Sequence, residues 1–220
     1  MKQYHYGNPD AQMVLIQLVG EHDLLLMEQE IGIIKKLTDN ADFYMIAVKV
    51  DNWNNDLSPW AAPPVFGKEP FGDGAKATLD YLQSEIISSF VGRSIYLGGY
   101  SLAGLFALWA AYQTDAFDGV AAVSPSVWFP RFEKYAMSNP IKIKAVYLSL
   151  GDKEEKTRNP VMAQVGNAIR SIYQHLSKSG VNCTLEWNEG NHFREPDMRI
   201  AKGFSWLINL DREHNHTTNA

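Results

Sequence analysis

Gly98-Gly99-Tyr100-Ser101-Leu102-Ala103-Gly104 follows the strand-like run Ser94-Ile95-Tyr96-Leu97 and opens the helix-like run Leu102 to Tyr112. A chain that turns from strand to helix within so few residues holds its central residue in a strained conformation. The residues two before and two after that centre then approach closely and must be small, which Gly99 and Ala103 satisfy. Ala103 stands where the elbow pattern usually has glycine; it adds one methyl, and Gly104 beside it allows the helix to pack tightly. Such a turn lifts the Ser101 hydroxyl off the sheet. It also aims the helix N-terminus and the Leu102 N–H at developing negative charge. The stretch therefore predicts a serine nucleophile, against the plainer reading of Ser101 as a helix cap among packing glycines.

Outward from the elbow, strand-like and helix-like runs alternate. Met13–Val19 is apolar and ends at Gly20, as a strand buried on both faces does. Leu24 to Leu37 reads as a helix with Leu25, Ile31, Ile34 and Leu37 apolar, Phe43 to Val50 as a strand, and Gly74 to Phe90 as a helix. Beyond the elbow, Asp118 to Val123, Ile143 to Leu150 and Cys183 to Trp187 are strand-like, with helices over Val161 to Leu176 and Met198 to Leu210. The alternation predicts an α/β class with a mostly parallel central sheet and helices on both faces. Chemistry in such sheets gathers at the carboxyl ends of the strands. One domain is expected over residues 1–210, with 211–220 a flexible tail whose His214 and His216 read as solvated rather than metal-binding.

A serine hydroxyl needs a base to take its proton. Behind a serine elbow the acid and then the histidine follow in the chain. The last strand runs into Asn188-Glu189-Gly190-Asn191-His192-Phe193, which places His192 between final strand and final helix, where the base belongs. The preceding strand ends in Gly151-Asp152-Lys153-Glu154-Glu155. Three carboxylates compete there, with Glu154 preferred, Asp152 second and Glu155 third. The acid orients His192 and stabilises its imidazolium. A second oxyanion donor is expected from the loop Gly20-Glu21-His22-Asp23, through the amide of Glu21 or His22.

The segment Asp51 to Asp73 is too long for a plain connection and too aromatic for a disordered one. It is read as ordered, with Trp53, Trp60, Phe66 and Phe71 lining the site beside Tyr100.

The chain has 220 residues, 45% of them hydrophobic, and a net charge of −5. No basic run favours nucleic acid, and no stretch is apolar enough to span a bilayer. The single Cys183 cannot form an internal disulfide, and the start Met1-Lys2-Gln3-Tyr4-His5-Tyr6 is no apolar leader, so a reducing cytoplasm is expected.

The elbow extended to Leu108, Ser124-Pro125-Ser126-Val127-Trp128, Gly151-Asp152-Lys153-Glu154 and Gly190-Asn191-His192-Phe193 together resemble a group of α/β-hydrolase-superfamily esterases. The group includes esterase D-like, feruloyl-esterase-like and enterochelin-esterase-like proteins. The resemblance implies an α/β-hydrolase fold without a separate cap domain, Ser101 as nucleophile, His192 as base and an acid near Glu154. It also implies a pocket bordered by Trp128 and its neighbours, among them Phe129. The extra N-terminal domain of enterochelin esterases has no counterpart here, which argues against siderophore hydrolysis. The expected activity is serine hydrolysis of a small carboxylic ester or thioester through an acyl-enzyme, by a monomer or homodimer without metal or organic cofactor. Acyl transfer or peptide cleavage on the same triad, and a non-catalytic ligand-binding relative, are the alternatives.

Overall fold

Apolar runs too short for helices become the strands of one sheet. The computed structural model describes residues 1–218, with side chains described up to residue 213. In chain order the elements are β1 (Lys2–Gly7), β2 (Met13–Val19), α1 (Glu21–Leu24), α2 (Met27–Leu37), β3 (Tyr44–Lys49), α3 (Trp53–Asp56) and α4 (Ala75–Glu85). There follow β4 (Ser94–Tyr100), α5 (Leu102–Gln113), β5 (Gly119–Val123), α6 (Phe132–Ser138), β6 (Ala145–Gly151), α7 (Val165–Lys178), β7 (Asn182–Asn188) and α8 (Pro196–Thr218). The sheet order is β1-β3-β2-β4-β5-β6-β7. All neighbours are parallel except β1, which runs antiparallel to β3 along the edge.

The central strands are buried on both faces, and successive side chains divide between two cores. Val14, Ile16 and Leu18 of β2 join the core that packs against α4, α5 and α7. Leu15 and Val19 join the core packed against α2 and α8, with Met27, Ile34, Phe204 and Leu207. Each core excludes water from one face, so the strands' carboxyl ends are held rigidly at one rim.

Several expected boundaries move. The helix expected over Leu24 to Leu37 is two pieces, and Leu25, expected on its apolar face, lies at the break, 82% exposed. The helix expected from Gly74 to Phe90 stops at Glu85, with a 3₁₀ turn at Ile87–Ser89. Val161 to Leu176 starts instead as a 3₁₀ turn, Met162–Gln164, before α7. Strand β1 and helix α6 were not expected; β1 is a half-exposed edge strand whose polar residues hide its alternation. Residues 211–218 continue α8 rather than forming a tail that starts at 211. Asp211 accepts hydrogen bonds from Ser94 Oγ (3.1 Å) and Tyr96 OH (2.7 Å), and Arg212 donates to the Thr38 carbonyl (2.7 Å). Asn219, Ala220 and the side chains of His214 and His216 lie outside the described residues.

Candidate active site

The turn from β4 into α5 is as tight as the small residues around Ser101 allow. Ser101 joins β4 to α5 with φ 61° and ψ −119°, a left-handed conformation costly for any residue with a Cβ. A Cβ at Gly99 would meet the Ala103 backbone at 2.5 Å, and one at Gly104 would meet the carbonyls of Gly99 and Val123 at 2.9 Å. The Ser101 N–H donates to the Val123 carbonyl (3.0 Å), and its carbonyl accepts from Ser126 N–H (3.0 Å) and Leu105 N–H (3.0 Å). Its hydroxyl is thereby fixed above the sheet. Leu102 is the first residue of α5, so its N–H has no partner within the helix.

His192 lies between β7 and α8, with its Nε2 3.0 Å from Ser101 Oγ and its Nδ1 2.7 Å from Glu154 Oε2. With a carboxylate on Nδ1, that nitrogen carries the proton and Nε2 is free to accept from the serine. Glu154 caps the carboxyl end of β6, in the 3₁₀ turn Glu154–Lys156. Its Oε1 accepts from Gly151 N–H (2.7 Å), Ser124 Oγ (2.8 Å) and Arg199 Nη1 (2.9 Å). Burial pushes its pKa up. Hydrogen bonding and charge from His192, then the Gly151 N–H and Ser124 hydroxyl, outweigh burial and hold it below the ordinary glutamate value.

The competing carboxylates are occupied elsewhere. Asp152, exposed, accepts from Gly190 N–H (2.7 Å), and Glu155 is gripped by Arg170 through two bonds of 2.8 and 2.9 Å. Of the three, Glu154 is the one that reaches the imidazole.

A cavity of about 630 Å³ opens over Ser101 and His192. Trp53, Phe66 and Trp128 line it. Trp60, Phe71, Phe129 and Tyr100 do not. Trp60 turns away to donate to the Pro130 carbonyl (2.9 Å) and packs on Phe129, Phe132 and Tyr135. Phe71 and Phe129 are buried, with Phe71 backing Phe66 and Trp128 from below. The Tyr100 hydroxyl donates to the His192 carbonyl (2.7 Å), and burial pushes that phenol up to about 12. The long segment is thus ordered, tied by an Ala62–Phe71 bridge, but only part of it faces the cavity.

The Glu21 side chain pairs with Lys49, and neither Glu21 nor His22 lines the cavity. Their amides belong to the first turn of α1, beside Gly20, whose N–H donates to Asp23 Oδ2 (2.8 Å).

Residues not anticipated include Asn54, Lys153, Lys156, Met162, Val165 and Phe193 on the cavity wall, and Arg199 behind Glu154. No sequence signal separates Arg199 from an ordinary surface arginine. It sits one residue before the apolar stripe of α8 begins at Ile200, and only the fold turns it inward.

No protein-family model matches the sequence, and a search of curated proteins finds no match. Solved structures do. A siderophore hydrolase from Aspergillus nidulans superposes with a TM-score of 0.68 at 23% identity, over 93% of this chain and 85% of that chain. The enterobactin esterase of Shigella flexneri gives 0.62 at 12% identity, over 94% of this chain but 55% of that chain. An alpha-beta serine hydrolase homologue from Coxiella burnetii gives 0.55 at 12% identity, over 95% and 90%. On sheet order, strand direction and these likenesses, the chain has the α/β-hydrolase fold.

Proposed function

We propose that this chain is a serine esterase that cleaves a small carboxylic ester or thioester through an acyl-enzyme. The reading rests on one observation: Ser101, His192 and Glu154 form an unbroken hydrogen-bonded relay of 3.0 and 2.7 Å at the floor of an aromatic-walled cavity. The esterases among the structural neighbours support an ester as the substrate.

Ser101 Oγ attacks the substrate carbonyl carbon as His192 Nε2 takes its proton. Glu154 holds Nδ1–H and balances the imidazolium charge. The Leu102 N–H at the head of α5 holds the oxyanion. Collapse breaks the bond to the alcohol or thiol, which leaves with the proton from Nε2. Water, deprotonated by the same nitrogen, then attacks the acyl carbon, releases the acid and returns the proton to Ser101. Trp53, Phe66 and Trp128 suit aromatic or short acyl groups. The lone Cys183 suits a cytoplasmic setting.

A fluorophosphonate probe tests this. Intact mass should rise by one adduct in the wild-type protein and remain unchanged in Ser101→Ala, and p-nitrophenyl esters and acyl thioesters should be turned over by the former alone. Absence of labelling in well-folded wild-type protein would sink the proposal.

A further inference from the structure

The histidine loop has almost nothing apolar to hold it. Between β7 and α8, Glu189, Asn191, Phe193, Arg194 and Glu195 are exposed, with Phe193 85% so. A catalytic imidazole on such a loop would wander, and a displacement of about 1 Å costs on the order of 100-fold in rate. Something polar must fix it.

Arg199 is that fixture. It projects from the first turns of α8, is 2% exposed, and donates from both terminal nitrogens into the site. Nη2 donates to the carbonyls of Glu189 and Asn191, both at 3.0 Å. Nη1 donates to Glu154 Oε1 (2.9 Å), Ser124 Oγ (3.2 Å) and Tyr100 OH (3.2 Å). Tyr100 in turn donates to the His192 carbonyl. One rigid planar fork therefore grips the loop that carries the base with one nitrogen and the acid with the other.

We propose that Arg199 is a positioning residue that sets the Glu154–His192 separation and, through its fixed charge, limits how strongly Glu154 attracts a proton onto His192. The inference rests on the esterase reading of the site. The charged and titratable groups that face His192 can be named element by element. Glu154 lies on the turn after β6, Arg199 on α8, and Tyr100, a neutral phenol, on β4. Exposed Lys153 and Lys156 lie across the cavity. In its own loop Arg194 pairs with both Glu189 and Glu195, one cation shared between two exposed carboxylates. Among the described residues, Arg199 is thus the one cation buried against the acid. When His192 becomes an imidazolium, the single carboxylate must serve two cations, and the imidazolium is stabilised less than beside an isolated glutamate.

Two substitutions separate the two parts of the role. Arg199→Met removes the charge and the fork. kcat should fall about 10-fold or more with KM nearly unchanged, and the acid limb of the kcat/KM profile should move up by about one pH unit. Arg199→Lys keeps the charge but cannot span both carbonyls and the carboxylate; kcat should fall about 10-fold while the acid limb stays at its wild-type position. A wild-type kcat in either variant overturns the positioning role, and an unmoved limb in folded Arg199→Met overturns the electrostatic one. Should Arg199→Met fail to fold, Arg199→Lys together with Tyr100→Phe decides the matter. Each should lower kcat at unchanged KM, and wild-type kcat in Arg199→Lys would refute the clamp. Wild-type turnover and Ser101 labelling, measured alongside, show independently whether the esterase reading stands.

Discussion

Two glutamates are buried, Glu154 at the carboxyl end of β6 and Glu30 on α2, and their pKa values are pushed in opposite directions. Glu154 at the site is surrounded by donors: an imidazole N–H, a backbone N–H, a hydroxyl and a guanidinium. Glu30 on α2, 2% exposed, receives a single hydrogen bond, from Gln17 Nε2 at 3.2 Å. Its Oε1 and the Gln17 Oε1 have no partner among the described side chains. Burial pushes the Glu30 pKa well above its ordinary value. Gln17 opposes this, and the charges of Asp23 and Asp197 reinforce it. Protonation supplies a donor where two buried acceptors lack one. Burial alone therefore does not set the charge of a carboxyl; the supply of donors does.

The contrast is broken most sharply at Glu154. Glu154→Gln should lower kcat by roughly 10³–10⁴, since an amide can hold His192 in the wrong tautomer. It also leaves buried Arg199 without its counter-charge, which should cost about 3 kcal/mol in chemical denaturation. Glu30→Gln should act in the other direction. The native state keeps a proton on Glu30 that the unfolded chain releases near the ordinary glutamate value. Wild-type stability is therefore fullest below that value and declines as pH rises toward the ionisation of buried Glu30. The amide removes this decline, so the variant should gain on the wild type by up to about 1.4 kcal/mol per pH unit across that window, read as melting temperature against pH. Glu154, with its pKa lowered, behaves inversely: its contribution is present above the ordinary value and lost as pH falls. The smallest effect belongs to Asp152→Asn. The amide oxygen can still accept from Gly190 N–H, and steady-state kcat should stay within about threefold of wild type. A loss comparable to that of Glu154→Gln would reassign the acid.

What was legible in the sequence follows from how local the cause is. The elbow needs small residues at fixed offsets from Ser101, and those offsets can be read directly. Strands β2 to β6 were visible because burial on both faces demands largely apolar runs, whereas β7 is a half-exposed edge strand. The acid could be narrowed to three neighbours and ranked with Glu154 first, but which of them touches the imidazole depends on where β7 and α8 bring His192. The aromatic wall was half legible: residue type marks Trp60 and Phe71 as apolar, but only packing decides that they support the wall while Phe66 and Trp128 form it. Arg199 and Glu30 were illegible, since a charged residue inside a helix reads as solvent-facing until its partners are in place.

Among the described residues, six non-glycine positions have positive φ, and Ser101, Ser124 and Glu195 cluster around the relay. Each such backbone costs on the order of 1–3 kcal/mol. Relaxing the hinge at Ser101 would make a sturdier protein and drop the hydroxyl out of the imidazole's reach. Thermal robustness and turnover therefore pull against each other at a single dihedral angle, and variants selected only for heat tolerance should drift toward inactivity there first.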